Sequence, residues 1–265
     1  VGNALVTIFM IIGENIDKKA REKVEELVHQ KQVFANTNLT RVEQETNNFV
    51  EKFACKKYGI ITNAFMDGFK NKNVLLASAG PSLDADLNNI LKHKDDFVIC
   101  TVARSARTMF SHGIVPDIVF TVDDLESNIE FFKDLDFSET ILISAMGTPS
   151  DITSLYFKDI FFVGSSEVLG YEMDDICGVQ VLSGEGGSVS VQALSILMSF
   201  NPKSIIITGQ DLVYHDGERF KSTTKTESDA QQYKHFGDDA TRYTLPTQDG
   251  SQKYTSSDLK IFHTQ

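Results

Sequence analysis

The stretch NVLLASAGPSLD, residues 73–84, combines the pattern of a buried strand with the start of a helix. Residues 74–77 form a short, continuous apolar run, which is typical of a strand covered on both faces. Gly80 permits close approach of the backbone, Pro81 presets a helical φ, and Ser82 is a residue type that caps helices. The stretch therefore predicts a strand, a tight turn and a helix, which together form the repeating unit of a parallel α/β sheet.

Five further runs of the same kind follow along the chain and alternate with segments long enough for helices. They are residues 97–102, 118–122, 141–145, 160–163 and 205–208. Strands of this kind are typical of parallel sheets that carry helices on both faces. We therefore expect an α/β, Rossmann-like fold built on a mostly parallel sheet.

The residues before Asn73 have a different pattern. Residues 14–57 are highly charged, contain no Pro or Gly, and carry apolar residues at loosely helical spacing, which predicts two helices. We expect residues 1–72 to form an N-terminal helical segment and residues 73–265 to form the Rossmann-like domain. The polar stretch at about 212–250 has no strong period and is interpreted as a lid-like loop, either closing over a ligand or mobile.

The composition excludes several classes of protein. A formal net charge of −12 argues against a partner that is a nucleic acid, because such binding relies on basic residues that neutralise phosphates. No apolar run approaches the roughly 20 residues that span a bilayer, so we expect no membrane helix. Cys55, Cys100 and Cys177 lie far apart, which favours neither disulfides nor a metal site. The expected compartment is the cytoplasm.

The turn after the first predicted strand is a candidate anion site. Ser78, Gly80, Pro81 and Ser82 precede or open the predicted helix, where amide hydrogens and the positive end of the helix dipole favour an anion without Lys or Arg. The alternative is an ordinary turn from strand to helix. The spacing alone leaves both interpretations open, because the full dinucleotide fingerprint is missing.

A second Gly-rich turn, with Gly186, Gly187 and Ser188, opens a predicted helix that runs to Phe200. It either grips a second anionic group or permits tight packing of the helix on the sheet. Two helix starts that face one crevice are the usual ligand arrangement in open α/β sheets. We therefore expect both Gly-rich turns to contribute to one nucleotide site.

Acidic residues follow two of the predicted strands. Asp123 and Glu126 follow the run 118–122, and Gly209 and Asp211 follow the run 205–208. Carboxylates at the carboxyl ends of strands can accept a proton, hold ribose hydroxyl groups or bind a divalent ion. They can also cap the next turn, which Asp does routinely.

In order along the chain, five motifs resemble the central domain of the motility-associated factor (Maf) flagellin glycosyltransferases. The motifs are residues 78–84, 113–123, 186–189, 209–217 and 250–255. The resemblance covers about residues 73–259 and is specific as an ordered set. It implies transfer of a nonulosonic acid, pseudaminic or legionaminic acid, from its CMP-activated form to Ser or Thr hydroxyl groups of flagellin in the cytoplasm. It also implies a nucleotide-sugar-binding role for the Rossmann-like domain.

That central domain is similar to bacterial sialyltransferases, in which the two Gly-rich turns hold the CMP. The resemblance assigns this role here to Gly80, Pro81, Ser82, Gly187 and Ser188. The stretch that carries a base His in sialyltransferases contains no His here, at residues 247–254.

The candidate bases are therefore Asp211, Asp123 and Glu126, and Tyr254 is a candidate for stabilising the departing phosphate. No cofactor is expected to be required, because a leaving group with a single phosphate develops less charge than a diphosphate.

Two alternatives remain open. Archaeal-type 6-hydroxymethylpterin pyrophosphokinases resemble the same Gly-Pro-Ser-Leu and Gly-Gly-Ser-Val elements and would require ATP and magnesium, with Asp123 and Asp211 as metal ligands. The third possibility is a module that binds a nucleotide without turning it over.

Overall fold

A computed structural model describes the central sheet and the helices packed on it. The described residues are 47–48, 51, 59–164, 187–213, 243–246, 250–255 and 260. The chain divides into two compact units, residues 1–43 and residues 44–265, and every described residue belongs to the second unit. The helices expected within residues 14–57 lie outside the described residues, except for helical residues at 47, 48 and 51.

Seven strands of the described residues form one sheet. They are β1 (Gly59–Ile60), β2 (Asn73–Ala77), β3 (Val98–Val102), β4 (Ile118–Thr121), β5 (Phe137–Ala145), β6 (Phe157–Val163) and β7 (Ser204–Thr208). Their order is β1-β6-β5-β4-β3-β2-β7, and every neighbouring pair is parallel. The expected Rossmann-like α/β fold with a parallel sheet is confirmed.

Helices cover both faces of the sheet. They are α1 (Asn63–Asp67), α2 (Ser82–Lys92), α3 (Ala103–Ser111), α4 (Ser150–Thr153) and α5 (Val189–Ser199), with 3₁₀ turns at Lys94–Asp96 and Glu126–Phe131. Helices α1 and α5 pack on one face, whereas α2, α3 and α4 pack on the other. Within the described residues, no helix combines the length and the apolar character needed to cross a membrane.

The alternation of side chains along β2 shows why its run is apolar throughout. Val74 and Leu76 pack with the α5 residues Ile196 and Leu197, whereas Leu75 packs with α2 on the opposite face. Successive side chains of a strand point to opposite faces, so a strand covered on both sides has no polar positions. Strand β2 is thus buried on both faces although it lies next to the outermost strand β7.

An aromatic cluster on the α5 face packs α1 and the residues after it against β6 and the C-terminal end of α5. Phe65 lies 4.6 Å from Phe161 of β6, and Phe69 lies 4.8 Å from Phe200, measured between ring centroids. Because β1 pairs with β6 and α1 supplies Phe65, the sheet begins ahead of Asn73, within the stretch expected to be a helical segment. A two-residue strand is too short to produce a visible period in the sequence.

A small hairpin follows β7. Strands β8 (Tyr243–Pro246) and β9 (Gln252–Thr255) pair antiparallel. Residues 243–246 belong to the stretch interpreted as a lid-like loop, so part of that stretch is a strand. The remainder, from residue 214 to residue 242 and from 247 to 249, lies outside the described residues.

The strand order creates a switch point between β2 and β7. From β2 the chain leads through α2 to β3 and onward across the sheet, whereas α5 leads back to β7 on the other side of β2. Adjacent strands whose connections run in opposite directions leave a crevice beyond their carboxyl ends. The turns after β2 and β7 therefore lie side by side. By contrast, β3 passes into α3 without an intervening residue, at Val102 and Ala103.

Candidate functional site at the carboxyl edge of the sheet

The turns after β2 and β7 are joined by backbone hydrogen bonds. The amide of Ser78 donates to the carbonyl of Thr208 (2.8 Å), and the amide of Gly80 donates to the carbonyl of Gly209 (2.6 Å). In the other direction, the amide of Gly209 donates to Ser82 Oγ (3.0 Å). The two turns thus form one rigid unit although they lie far apart in the sequence.

The carboxylate of Asp211 lies on the N-terminus of α2. Its Oδ2 atom accepts hydrogen bonds from the amide and from the hydroxyl of Ser82, each at 2.8 Å. A negative charge at this end of a helix is stabilised by the unpaired amides and by the helix dipole. The anion that the sequence predicts at this turn is therefore supplied by the protein itself.

Two glycines make this close approach possible. A β-carbon on Gly80 would collide with Asp211 Oδ2 and would lie 2.5 Å from the carbonyl oxygen of Gly209. Gly209 itself has φ +72°, and a β-carbon there would lie 2.7 Å from the carbonyl carbon of Ser78. Only glycine meets both the conformational and the steric requirement at Gly209.

The structure changes the interpretation of Ser82. Helix α2 has Pro81 as its N-cap residue, with helical φ and ψ, and no side chain caps the helix. The Ser82 hydroxyl does not bond to the amides of the next turn, because it donates to Asp211 and accepts from Gly209. The cap expected from the residue type is thus replaced by a contact between two turns.

Ser78 offers a hydroxyl group at the same edge. Its side chain is 1% exposed, and its Oγ has no hydrogen-bond partner in the part of the chain that the structure describes. Ser78 continues the alternation of Val74 and Leu76, so its side chain is on the face of the sheet that α5 covers. A buried polar group of this kind is usually satisfied by a water or a ligand.

Helix α5 begins at this edge, on the face opposite to α2. Only residues 200–203 separate α5 from the start of β7, so α5 ends at the amino edge and begins at the carboxyl edge. Ser188 is its N-cap residue and its Oγ accepts from the amide of Val191 (3.4 Å). Gly187 is exposed, and Gly186 lies outside the described residues. The two helix starts thus share an edge but lie on different faces of the sheet.

The carboxylates after β4 form a separate group. Asp123 is partly buried, and its Oδ2 accepts a long hydrogen bond of 3.5 Å from Asn128 Nδ2. Asp124 is buried, whereas Glu126 is exposed at the start of a 3₁₀ turn. Of the two acidic candidates in this group, Asp123 is therefore the more shielded from solvent.

The strand order separates Asp123 from Asp211. Strands β4 and β7 are three neighbours apart in the sheet, which places their ends roughly 14 Å apart at the usual spacing of parallel strands. Helix α5 packs over β3 and β4, between the two turns. The edge therefore presents one carboxylate after the outermost strand β7, a second after the central strand β4, and a helix start between them.

The hairpin is attached to the same region through Thr255. Its Oγ1 donates to the carbonyl of Leu212 (2.6 Å), the residue after Asp211. Tyr254 precedes Thr255 in β9, so the two side chains point to opposite faces of the hairpin. Thr255 is buried and Tyr254 is 56% exposed. The phenol predicted to assist the leaving group thus points away from the face that contacts the β7 turn.

Two polar residues at this edge have no counterpart in the sequence interpretation. Thr208 Oγ1 donates to Asp86 Oδ2 of α2 (2.5 Å), which ties the end of β7 to the helix. Thr148, in the turn after β5, is fully buried, and its Oγ1 has no hydrogen-bond partner within the described ranges. The Gly147–Ser150 turn would have been recognisable from its Gly and Pro, but not the burial of its hydroxyl.

Comparison with solved structures supports the fold. The Maf glycosyltransferase from Magnetospirillum magneticum AMB-1 superposes with a TM-score of 0.58 at 16% sequence identity, over 77% of this chain. The chain spans 30% of the length of that protein. The resemblance to the Maf glycosyltransferases that the motifs indicate is thus confirmed in the architecture of the domain.

Comparison with curated protein sequences finds no significant match. A family profile, described as 6-hydroxymethylpterin diphosphokinase MptE-like, matches residues 31–217. That range includes β1 to β7 and both turns that meet at the switch point. Because the match extends over more than half of the sequence, the chain belongs to the 6-hydroxymethylpterin diphosphokinase MptE-like family.

Proposed function

We propose that the chain is a glycosyltransferase domain that moves a nonulosonic acid, pseudaminic or legionaminic acid, from its CMP-activated donor to Ser or Thr of flagellin. The observation that supports this best is the arrangement of the carboxyl edge, where a helix start lies between two separated carboxylates. Open α/β sheets bind ligands at this edge, beside the point where the strand order reverses.

The dimensions of the edge suit an extended nucleotide-sugar. Asp211 follows the outermost strand β7, α5 packs over β3 and β4, and Asp123 follows the central strand β4. In the proposed complex the nucleoside lies beside the β2 and β7 turns. The phosphate lies near the start of α5 and Ser78, and the sugar lies near Asp123. A phosphate is favoured at the start of α5 by the helix dipole.

The transfer breaks the bond between the anomeric carbon of the sugar and a phosphate oxygen, and forms a bond from that carbon to the acceptor oxygen. Positive charge develops on the sugar ring, and a base removes the proton of the acceptor hydroxyl. Among Asp211, Asp123 and Glu126, Asp123 suits the role of base best, because it is partly buried at the sugar end of the edge. The departing CMP carries the negative charge away.

The proposal requires no metal or other cofactor. CMP leaves with one phosphate, whose charge the start of α5 can stabilise. The acceptor is a protein hydroxyl group, and flagellin is the acceptor that the resemblance implies. We expect the reaction to occur in the cytoplasm.

The family match favours a second candidate, an ATP-dependent 6-hydroxymethylpterin diphosphokinase. Such a reaction uses magnesium to neutralise clustered phosphate oxygens. Asp123 and Asp211 do not fit as joint ligands of one ion, because the strands they follow end roughly 14 Å apart, whereas magnesium binds oxygen at about 2.1 Å. If the chain is a diphosphokinase, each carboxylate would belong to a different part of the substrate site.

A panel of ligands distinguishes the candidates. Thermal stability and turnover are measured with CMP, with CMP-activated pseudaminic and legionaminic acids, and with ATP plus magnesium and 6-hydroxymethylpterin. We expect CMP and at least one activated sugar to raise Tm, and that sugar to be transferred to purified flagellin.

Each alternative has its own result in the same panel. Stabilisation by ATP with magnesium, without any effect of CMP, would favour the diphosphokinase. Binding of CMP without turnover of either activated sugar, in the presence of flagellin, would indicate a module that only binds the nucleotide.

A further inference from the structure

The amide and the hydroxyl group of Ser82 are both engaged in hydrogen bonds within the protein. It has two groups that can donate, the amide and the hydroxyl, and both donate to Asp211 Oδ2. Its hydroxyl oxygen also accepts the hydrogen bond from the amide of Gly209. A phosphate that used Ser82 directly would therefore have to displace a carboxylate of the same sign.

Most other amides of this turn are also occupied. The amides of Ser78 and Gly80 donate to the β7 turn, and those of Leu83 and Asp84 donate to the carbonyls of Gly80 and Pro81. Phosphate sites at helix starts depend on amides that point at the ligand. With Asp211 in place, the start of α2 has few amides left that could point at a phosphate.

The steric fit holds Asp211 in this position. The space that a β-carbon of Gly80 would fill is taken by Asp211 Oδ2 and by the carbonyl of Gly209. The glycine that the sequence interpretation connects with close approach of a phosphate is thus explained by close approach of a carboxylate. Removing Asp211 from the turn would leave both donors of Ser82 without a partner.

The second oxygen of Asp211 remains available. Among the described residues no hydrogen bond to Oδ1 is formed, and the side chain is only partly buried. An ionised carboxylate oxygen only accepts hydrogen bonds, so it suits a ligand hydroxyl and repels a phosphate. Acidic side chains at this edge of α/β sheets hold the ribose hydroxyl groups of nucleotides in other folds of this kind.

We propose that Ser82 is a positioning residue, which holds Asp211 Oδ2 so that Oδ1 receives the ribose hydroxyl groups of the nucleotide. This inference rests on the proposed function, because it requires a nucleotide at this edge. It assigns the phosphate to the α5 side of the edge and leaves Asp123 as the base. Asp211 thus contacts the ligand, whereas Ser82 acts through Asp211.

Binding of CMP and of 2′,3′-dideoxy-CMP by calorimetry tests this assignment. We expect the wild-type protein to bind CMP about 10-fold or more tightly than the dideoxy nucleotide, which is the usual effect of a hydrogen bond to a charged group. Asp211→Asn should reduce this preference strongly. Ser82→Ala should reduce it as well and should leave the affinity for the dideoxy nucleotide unchanged, while Ser82→Thr should retain the preference.

Ser111→Ala is the matched control, because Ser111 lies at the C-terminal end of α3 and its hydroxyl bonds locally, to the Thr108 carbonyl and to His112 Nδ1 of the C-cap. The affinities of Ser111→Ala for CMP and for 2′,3′-dideoxy-CMP should equal those of the wild-type protein. Equal weakening of both nucleotides by Ser82→Ala would overturn the proposal, since it would show that Ser82 binds the phosphate. An unchanged preference for CMP in Asp211→Asn would overturn the role of Asp211.

An amide spectrum separates this inference from the proposed function. In ¹H–¹⁵N correlation spectra, Asp211→Asn should shift the Ser82 amide, and CMP added to the wild-type protein should leave that amide nearly unchanged. If CMP shifts no amide at this edge, the proposed function fails. If Asp211→Asn leaves the Ser82 amide in place, the positioning role fails whatever CMP does.

Discussion

Gly209 lies so close to Ser78 that no β-carbon fits between them: the position of such an atom would be 2.7 Å from the carbonyl carbon of Ser78 and 3.2 Å from Leu83 Cβ. Gly113 has the same φ of +72°, but a β-carbon there would meet nothing within 4 Å. Substitutions at the two glycines can therefore be compared, because the one at Gly113 introduces conformational strain alone and the one at Gly209 adds a steric collision.

Gly209→Ala should lower the free energy of unfolding by roughly 3 kcal/mol, since strain and overpacking add. Gly113→Ala should cost about 1 kcal/mol, from strain alone. Urea denaturation measures both values. Equal costs would show that the β2 and β7 turns can separate easily, which would contradict the rigid unit described above.

Phe200 closes the aromatic cluster at the end of α5 and is 1% exposed, whereas Met198 on the same helix is 64% exposed. Phe200→Ala should lower the free energy of unfolding by about 4 kcal/mol, because it removes buried contacts and leaves a cavity. Met198→Ala should change it by less than about 0.5 kcal/mol. Thermal or urea denaturation of the two variants provides the comparison.

Thr208 and Asp86 should be energetically coupled, because the Thr208 hydroxyl donates to the Asp86 carboxylate. A hydrogen bond to a charged group contributes about 1.5 kcal/mol or more. A double-mutant cycle with Thr208→Val and Asp86→Ala should therefore give a coupling energy of about 1 kcal/mol or more. Additive effects would show that the hydrogen bond does not stabilise the fold.

Burial, and secondarily the negative charge of Asp117, raise the pKa of the Cys100 thiol well above its ordinary value. The unfolded chain ionises this thiol as the pH rises through about 8.5, whereas the folded protein keeps it neutral. The contribution of Cys100 to stability is therefore fully present below about pH 8.5 and is lost as the pH rises further.

Cys100→Ala should consequently reduce the loss of stability between pH 7.5 and pH 10, measured by urea denaturation. The cavity that this substitution leaves affects both pH values alike, so it does not affect the comparison. An identical loss in the variant and the wild-type protein would contradict the assignment to Cys100.

Asp123→Asn should reduce sugar transfer about 100-fold or more without a comparable change in the affinity for CMP, because a base acts in the chemical step. Asp95→Asn is the control, since Asp95 is exposed in the 3₁₀ turn that precedes β3, at the opposite edge of the sheet. Steady-state kinetics with the activated sugar measure both variants. Full activity of Asp123→Asn would exclude this carboxylate as the base.

The inner strands β2, β3 and β4 could be predicted from the sequence because they are buried on both faces. The run 74–77 differs from β2 by a single residue, and the run 118–122 differs from β4 by its last residue. Strands β5 and β6 both begin before the apolar runs that predict them, at Phe137 and at Phe157. The first halves of both strands carry charged side chains, Glu139 in β5 and Lys158 with Asp159 in β6, and the register between the two strands shifts there, so neither start has the continuous apolar pattern of β2.

The site could be predicted only in part. The turns at Gly80 and Gly209 are visible in the sequence, because Gly, Pro and Asp have strong local preferences. The contact between Ser82 and Asp211 is not visible, since 129 residues separate them. Nothing in the local pattern indicates that β7 lies beside β2, and a Ser at a helix start resembles a cap or a phosphate ligand equally well.

The direct passage from β3 into α3 at Val102 and Ala103 affects the path that an extended ligand would take along the carboxyl edge. The neighbouring strands β2 and β4 are each followed by four residues before the next helical element, so the chain turns most tightly at this junction. A molecule that extends from Asp211 to Asp123 would cross here. Ala103 is buried in the cluster that contains Val119 and Phe131, so a bulkier side chain there would disturb the packing of α3 on the sheet and, with it, the shape of this crossing.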